Sequence, residues 1–364
     1  MRSMKVNLDK KTSSSYEICI GYKFIDRMAL IIAKNHKAGR HVLITDSSVG
    51  SIYAKQMMDS LNDVGLNTNR IEFPAGESSK NINTVLDIVG KLLELGADRG
   101  TILIALGGGV VGDMVGFIAS IFMRGIPYIQ IPTTLIGQVD SSIGGKTAID
   151  LPYGKNLVGT FCQPRAVFAD LTFLETLPQK EFNNGLAEII KYGIIDDEKM
   201  FSILEENMDA VKSRDSALLT KIVENCCRIK KSVVEIDEKE QGLRRLLNYG
   251  HTLGHALEAV SKYTISHGEG VALGMIAAAR ISEKMRYLDA IQLKRIEEII
   301  LKAGLPGKIP QDFSADGIIS RLAMDKKKKD DVVHFILLKK IGMPFVSGGV
   351  DNKLIGDVIE EMKS

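Results

Sequence analysis

The densest set of groups able to do chemistry lies in residues 244–258, RRLLNYGHTLGHALE. With Arg244 at zero on a helix of 100° per residue, Asn248, His251, His255 and Glu258 fall at roughly 40°, 340°, 20° and 320°. Leu246, Leu247, Leu253 and Leu257 fall at roughly 200°, 300°, 180° and 220°, so a polar face opposes one that carries most of the leucines. Solvated helix faces are usually Lys and Glu. Paired imidazoles beside Asn and Arg point instead to a metal ion or a substrate. Imidazoles four residues apart can share an ion, but Thr252 follows His251. The glutamate base of HExxH metalloproteases is therefore missing, and peptide hydrolysis is disfavoured. Further ligands must come from elsewhere, and His267 in SHGEGVALGM and Glu188 in GLAEIIKYG are candidates. Two histidines and one carboxylate leave coordination positions open, the pattern of a catalytic ion. Gly250 and Gly254 in the same expected helix each cost about 1 kcal/mol relative to alanine, which predicts close approach of another element.

A second cluster precedes it. Residues 107–113, GGGVVGD, satisfy GxGxxG directly after the apolar run TILIAL. Such glycines bring backbone close to a pyrophosphate, and the helix amino terminus that follows favours the anion. The usual ribose-binding acid about 20 residues downstream is absent, since no Asp or Glu lies between Asp113 and Asp140. Asp46, at the end of the strand-like run HVLIT, is the alternative, so a bound dinucleotide would sit on a variant of the fold. In PAGESSK, Glu77 suits ribose hydroxyls and Lys80 suits phosphate. Residues 131–158 read as a loop-rich run dense in polar groups, among them Thr133, Thr134, Asp140, Lys146, Lys155 and Asn156. A long loop of ordered composition is expected to be functional, here a cradle for phosphate or carboxylate.

These motifs need a scaffold. Strand-like runs at 41–45, 101–106 and 128–131 alternate with a helical pattern at 81–95, which indicates parallel sheet in an α/β layer fold. Beyond about Pro178 helix-period patterns dominate, with a hairpin from VVHFILL and FVSGG near the end. The expected division is an α/β domain over 1–178 and a mainly helical domain over 179–364. A length of 364 residues agrees with two domains. The net charge of +2 is too small for a nucleic-acid surface, and the basic run at 326–329 lacks interleaved aromatics. No apolar run approaches the roughly 18 residues of a membrane helix, and no secretory leader is visible. The four cysteines show no CxxC spacing. A soluble, cytoplasmic enzyme without nucleic-acid or membrane partners is expected.

Taken together, PAGESSK, GGGVVGD, MRGIPYIQIPTTLIGQVDSSIGGKTAID, GKNLVGTF, GLAEIIKYG, DEKEQGLRRLLNYGHTLGHALEA, HGEGVALGM and MDKK resemble the 3-dehydroquinate synthase family over nearly the whole chain. The resemblance implies a Rossmann-like NAD-binding α/β domain, a mainly α-helical metal-binding domain, an active site in the cleft between them and a homodimer. It implies Glu188, His251 and His267 as ligands of a divalent metal, zinc or cobalt. For NAD it implies Asp46, Glu77, Lys80, Gly108, Gly109, Asp113, Thr133 and Thr134, with Lys146, Lys155, Phe173 and Thr176 alongside. For a sugar-acid phosphate it implies Asp140, Lys146, Asn156, Lys191, Lys230, Arg244, Asn248, His255 and Lys326, with Arg124 reaching the phosphate from the neighbouring subunit. The implied reaction, that of a phosphate-eliminating lyase, turns 3-deoxy-D-arabino-heptulosonate 7-phosphate into 3-dehydroquinate and phosphate. It runs through transient oxidation by NAD, elimination, reduction, ring opening and aldol closure. The alternatives are another sugar phosphate cyclase or a metal-dependent NAD alcohol or glycerol dehydrogenase. The chain departs from the family pattern at Ser48, often Asn, and at Asp330, usually Gly.

Overall fold

The computed structural model describes residues 1–6, 15–196, 198–262, 264–326 and 334–363, with backbone alone at 323–326. The chain forms two compact units, Met1–Leu177 with Leu219–Lys239, and Pro178–Leu218 with Glu240–Ser364. The first break adjoins the boundary expected at 178. Residues 219–239, expected in the helical half, group instead with the first unit.

The first unit is a sheet between helices. Its strands are β1 (Arg2–Val6), β2 (Tyr16–Gly21), β3 (His41–Asp46), β4 (Thr68–Phe73), β5 (Ile102–Gly107), β6 (Tyr128–Pro132) and β9 (Ala166–Asp170). They line up in the order β1-β2-β9-β6-β5-β3-β4, all parallel except the antiparallel edge pair β1–β2. Side chains alternate across the sheet, so β3 sends Val42 and Ile44 to one core and Leu43 to the other. On one face lie α4 (Ile82–Glu94) and α5 (Gly109–Ile121), which contribute Val85, Ile88, Met114 and Ile118. On the other lie α1 (Ile25–Asn35) and α3 (Lys55–Asp63), which contribute Met28, Ile32, Met57 and Leu61. A short α2 (Ser47–Val49) follows β3 directly. Sheet growth reverses direction between β3 and β5: the chain runs outward to β4, then returns to the far side of β3. Ligands of open α/β sheets bind beyond the strand carboxyl ends at such a reversal.

The expected long loop at 131–158 is not all loop. It contains a π turn at Gly137–Ser141, and β7 (Lys146–Leu151) pairs antiparallel with β8 (Gly154–Phe161). Polar residues and glycines interleaved with the apolar ones hide the strand signal, and one cross-strand pair is polar. Thr147 and Thr160 face each other with their hydroxyls 2.9 Å apart.

The second unit is mainly helical: α6 (Gln179–Ile195), α7 (Glu198–Lys212), α9 (His251–Val260), α10 (His267–Lys284), α11 (Ala290–Lys302), α12 (Ala315–Lys326) and α13 (Asn352–Glu361). The helix α8 (Ser216–Ile236) begins here and continues into the first unit. The expected hairpin is present as β10 (His334–Lys340) paired with β11 (Met343–Gly348), while Val332 and Val333 lie outside the described residues. Among the described residues no helix is long and apolar enough to cross a membrane.

One expectation needs correction. Residues 244–258 do not form one helix. Leu243–Asn248 is a 3-10 turn, Gly250 takes φ +80, and α9 starts only at His251. The break is enforced by packing. A Cβ on Gly250 would lie 2.8 Å from the Val271 carbonyl oxygen, and one on Gly254 would lie 2.8 Å from that of Gly270. On the facing helix a Cβ on Gly274 would lie 1.8 Å from the Gly250 oxygen, so α9 and α10 meet backbone to backbone. Gly274→Ala must push these helices apart, and urea unfolding should show a loss of about 3 kcal/mol or more.

Candidate active site

In the second unit α6, α9 and α10 each bring one ligand group to a common point. Glu188 lies in the middle of α6, fully buried, while His251 and His267 open α9 and α10. Their ligand atoms all lie within 4.8 Å of one another. The Glu188 Oε1 atom is 3.3 Å from His251 Nε2 and 3.0 Å from His267 Nε2.

The outer ring nitrogens decide the chemistry. His251 Nδ1 is 3.1 Å from the Tyr249 carbonyl, and His267 Nδ1 is 3.1 Å from Glu258 Oε1. Both partners accept, so both Nδ1 atoms donate. Neutral rings therefore aim two bare Nε2 lone pairs at one carboxylate oxygen, an arrangement that requires a cation or extra protons. The set fits a divalent ion with open positions, and outer hydrogen bonds of this kind orient metal ligands. Without an ion, burial opposes the charge on His267, but Glu188 and Glu258 outweigh it and push the ring up to about 10. Burial likewise opposes the charge on Glu188, yet Lys191 and the two histidines hold its carboxyl well below the usual range. Lys191, one turn along α6 and 1% exposed, pairs with Glu188 Oε2. Surrounding protein, and then repulsion from His251 and His267, push His255 down to about 3, although the residue is exposed. Its ring centre is 5.2 Å from that of His251. His255 thus stands uncharged beside the ligand set.

Arg244 and Asn248 sit on the 3-10 turn before α9. Arg244 is buried, and Asn248 donates to Glu240 Oε1 at 2.7 Å. Lys326 closes α12, and its side chain lies outside the described residues.

In the first unit the residues expected to bind NAD gather at strand carboxyl ends. Asp46 ends β3 and accepts from Ser48 N at 2.8 Å and Val49 N at 3.0 Å, so Ser48 contributes a backbone contact. Gly108 and Gly109 join β5 to α5, and a Cβ on Gly108 would lie 2.8 Å from the Thr134 methyl. Thr133 follows β6, and its buried hydroxyl has no hydrogen-bond partner. An orphaned hydroxyl beside a glycine turn fits a polar ligand such as a dinucleotide. Lys80, buried after β4, donates to Asp113 Oδ2 and to Asn156 Oδ1, both at 2.6 Å. Burial opposes its charge, but Asp113 outweighs it and raises the ammonium above its usual range. Lys155 Nζ lies 3.6 Å from Glu77 Oε1.

Asn156 itself takes φ +56, held by its N–H on Asp150 Oδ1 at 2.8 Å. Lys230 pairs with Asp140, binding its carbonyl at 2.7 Å as well. Lys146 begins β7, exposed. Arg124 ends the 3-10 turn after α5 with φ +72. Phe173 and Thr176 are turned toward Tyr53: the aromatic rings meet edge-on at 4.8 Å and the hydroxyls are 2.6 Å apart. Three carboxylates that partner these residues have no role assigned from sequence, Asp150, Glu240 and Glu258. For Glu258 the signal is its place on the polar face with His251 and His255.

Known proteins resemble this chain in sequence and in fold. The description "3-dehydroquinate synthase N-terminal" matches residues 70–184, and "3-dehydroquinate synthase C-terminal" matches residues 185–328. A 3-dehydroquinate synthase of Desulforamulus reducens is 42% identical over 343 residues, 94% of this chain and 95% of that protein. Among solved structures, 2-deoxy-scyllo-inosose synthase complexed with carbaglucose-6-phosphate, NAD+ and Co2+ superposes with a TM-score of 0.89 at 28% identity, covering 99% of this chain and 100% of its own. The 2-epi-5-epi-valiolone synthase of Streptomyces hygroscopicus, with NAD+ and Zn2+ bound, gives 0.90 at 26% identity, covering 98% and 99%. Both halves match in sequence and the relative aligns almost end to end, so this chain belongs to the 3-dehydroquinate synthase family.

Proposed function

We propose that this protein is a 3-dehydroquinate synthase that uses NAD and a divalent metal ion, releasing phosphate from 3-deoxy-D-arabino-heptulosonate 7-phosphate. The observation that carries this reading is the convergence of Glu188, His251 and His267, with both imidazole lone pairs aimed inward. When bound, NAD supplies a reversible hydride acceptor and the ion a Lewis acid for a substrate oxygen. The residues of the chain then bind, orient and hold protons. Lys80 and the glycine turn of the first unit hold the dinucleotide, and Thr133 offers it an unpaired hydroxyl. Arg124, Lys146, Lys155, Lys191, Lys230, Arg244 and Lys326 form a cationic set suited to one carboxylate and one phosphate, which a neutral alcohol would not need. His255, Lys146 and Asn156 orient the phosphate group, whose own oxygens assist proton removal. Arg244, Asn248 and Lys326 are the carboxylate-directed residues that favour this substrate over those of other sugar phosphate cyclases. The same reading includes a cytoplasmic homodimer in which Arg124 serves the neighbouring subunit's phosphate. It also keeps the domain roles, NAD on the α/β half and metal on the helical half.

A phosphate-release assay tests it. With the heptulosonate phosphate, NAD and zinc or cobalt, phosphate should appear without net NADH, and a chelator should stop it. Net NADH from glycerol or a simple alcohol, with no phosphate released, would replace this reading with that of a dehydrogenase.

A further inference from the structure

We infer that Glu258 is a positioning residue that fixes the ring of His267 toward the metal ion, an inference that rests on the reading above. His267 is the first residue of α10. Its Nε2 faces Glu188 Oε1 at 3.0 Å, and its Nδ1 faces Glu258 Oε1 at 3.1 Å. Two carboxylates on opposite sides thus bracket one imidazole. Glu258 is 4% exposed, so its charge is not there to meet water. The neighbouring helix makes room for it: a Cβ on Gly270 would lie 3.2 Å from Glu258 Cγ and 3.5 Å from Oε1.

A carboxylate that accepts the outer N–H does three things. It selects the tautomer with Nε2 bare, removes ring rotation, and strengthens the nitrogen as a donor. His255, Glu258 and His267 also lie close enough to suggest a second ion site. That reading fails on proton count, because Nδ1 of His267 would have to lose its proton while Nε2 is already a ligand.

The experiment measures Zn2+ affinity by chelator competition for wild type, Glu258→Ala and Glu258→Gln, with NAD affinity as the control. Affinity should fall about 10–100-fold in the alanine variant. The glutamine variant should recover some of it, because its amide oxygen still accepts the proton. NAD affinity should not move. Nitrogen-15 spectra of the zinc-loaded wild type should show His267 protonated on Nδ1. An alanine variant within about twofold of wild-type Zn2+ affinity overturns the inference, even if its metal-free stability falls. So does a His267 found with the proton on Nε2, a measurement that needs no variant to fold. If wild type binds no zinc, the metal reading itself falls with it.

Discussion

His251→Ala should lower phosphate release about a thousandfold or more, since Lewis-acid stabilisation amounts to several kcal/mol and each 1.4 kcal/mol is about a factor of ten. The variant leaves two ligands where three converge, and the ring it removes is the one fixed by the Tyr249 carbonyl. Bound metal measured by mass spectrometry after desalting should drop in parallel. NAD affinity should hold, because the residues expected to bind it belong to the other compact unit. A variant that keeps its metal, or turns over within about tenfold of wild type, would take His251 out of the ligand set.

The second large effect concerns stability. Lys191 is 1% exposed and its ammonium pairs with a carboxylate that is fully buried. Lys191→Met removes the ammonium from buried Glu188 and leaves the protonated His267 as its remaining counter-charge in the metal-free protein. Breaking such a pair costs about 3–5 kcal/mol. Zinc can take over the neutralising role, and an ion that binds only the folded state stabilises by mass action. Urea unfolding of the variant should therefore show a large loss with chelator present and a smaller one with zinc. Equal losses in both conditions would mean that Lys191 acts through its packing on the Tyr192 ring, 4.8 Å away.

Much of this is legible in the sequence, and the exceptions share a cause. Apolar runs ending in Asp46, Gly107 and Pro132 mark the strands β3, β5 and β6 and place the glycine turn, because buried parallel strands are nearly continuous in apolar residues. The hairpin β7–β8 carries no such mark, because its ladder interleaves Lys146, Thr147, Gly154, Gly159 and Thr160 with apolar residues such as Ile149 and Val158. The period around Arg244 reads as continuous helix, since a period cannot register that Gly250 is left-handed. That conformation is imposed by Val271 and Met275 of α10, which no local window around Gly250 contains. The ligand types are readable as candidates, yet the geometry that separates His251 from His255 depends on which ring meets Glu188. Burial of Lys191 and Glu258 is likewise invisible, because a charged residue ordinarily reads as facing water.

The glycines at 250, 254, 270 and 274 carry a consequence for how this region can drift. A β-carbon at any of them would force apart a pair of helices whose first residues are imidazoles of the ion site. Substitution is thereby kept out of the seam between α9 and α10, which stays fixed. Heritable change in this protein can retune what surrounds the ion far more readily than it can shift the spacing of the arms that grip it.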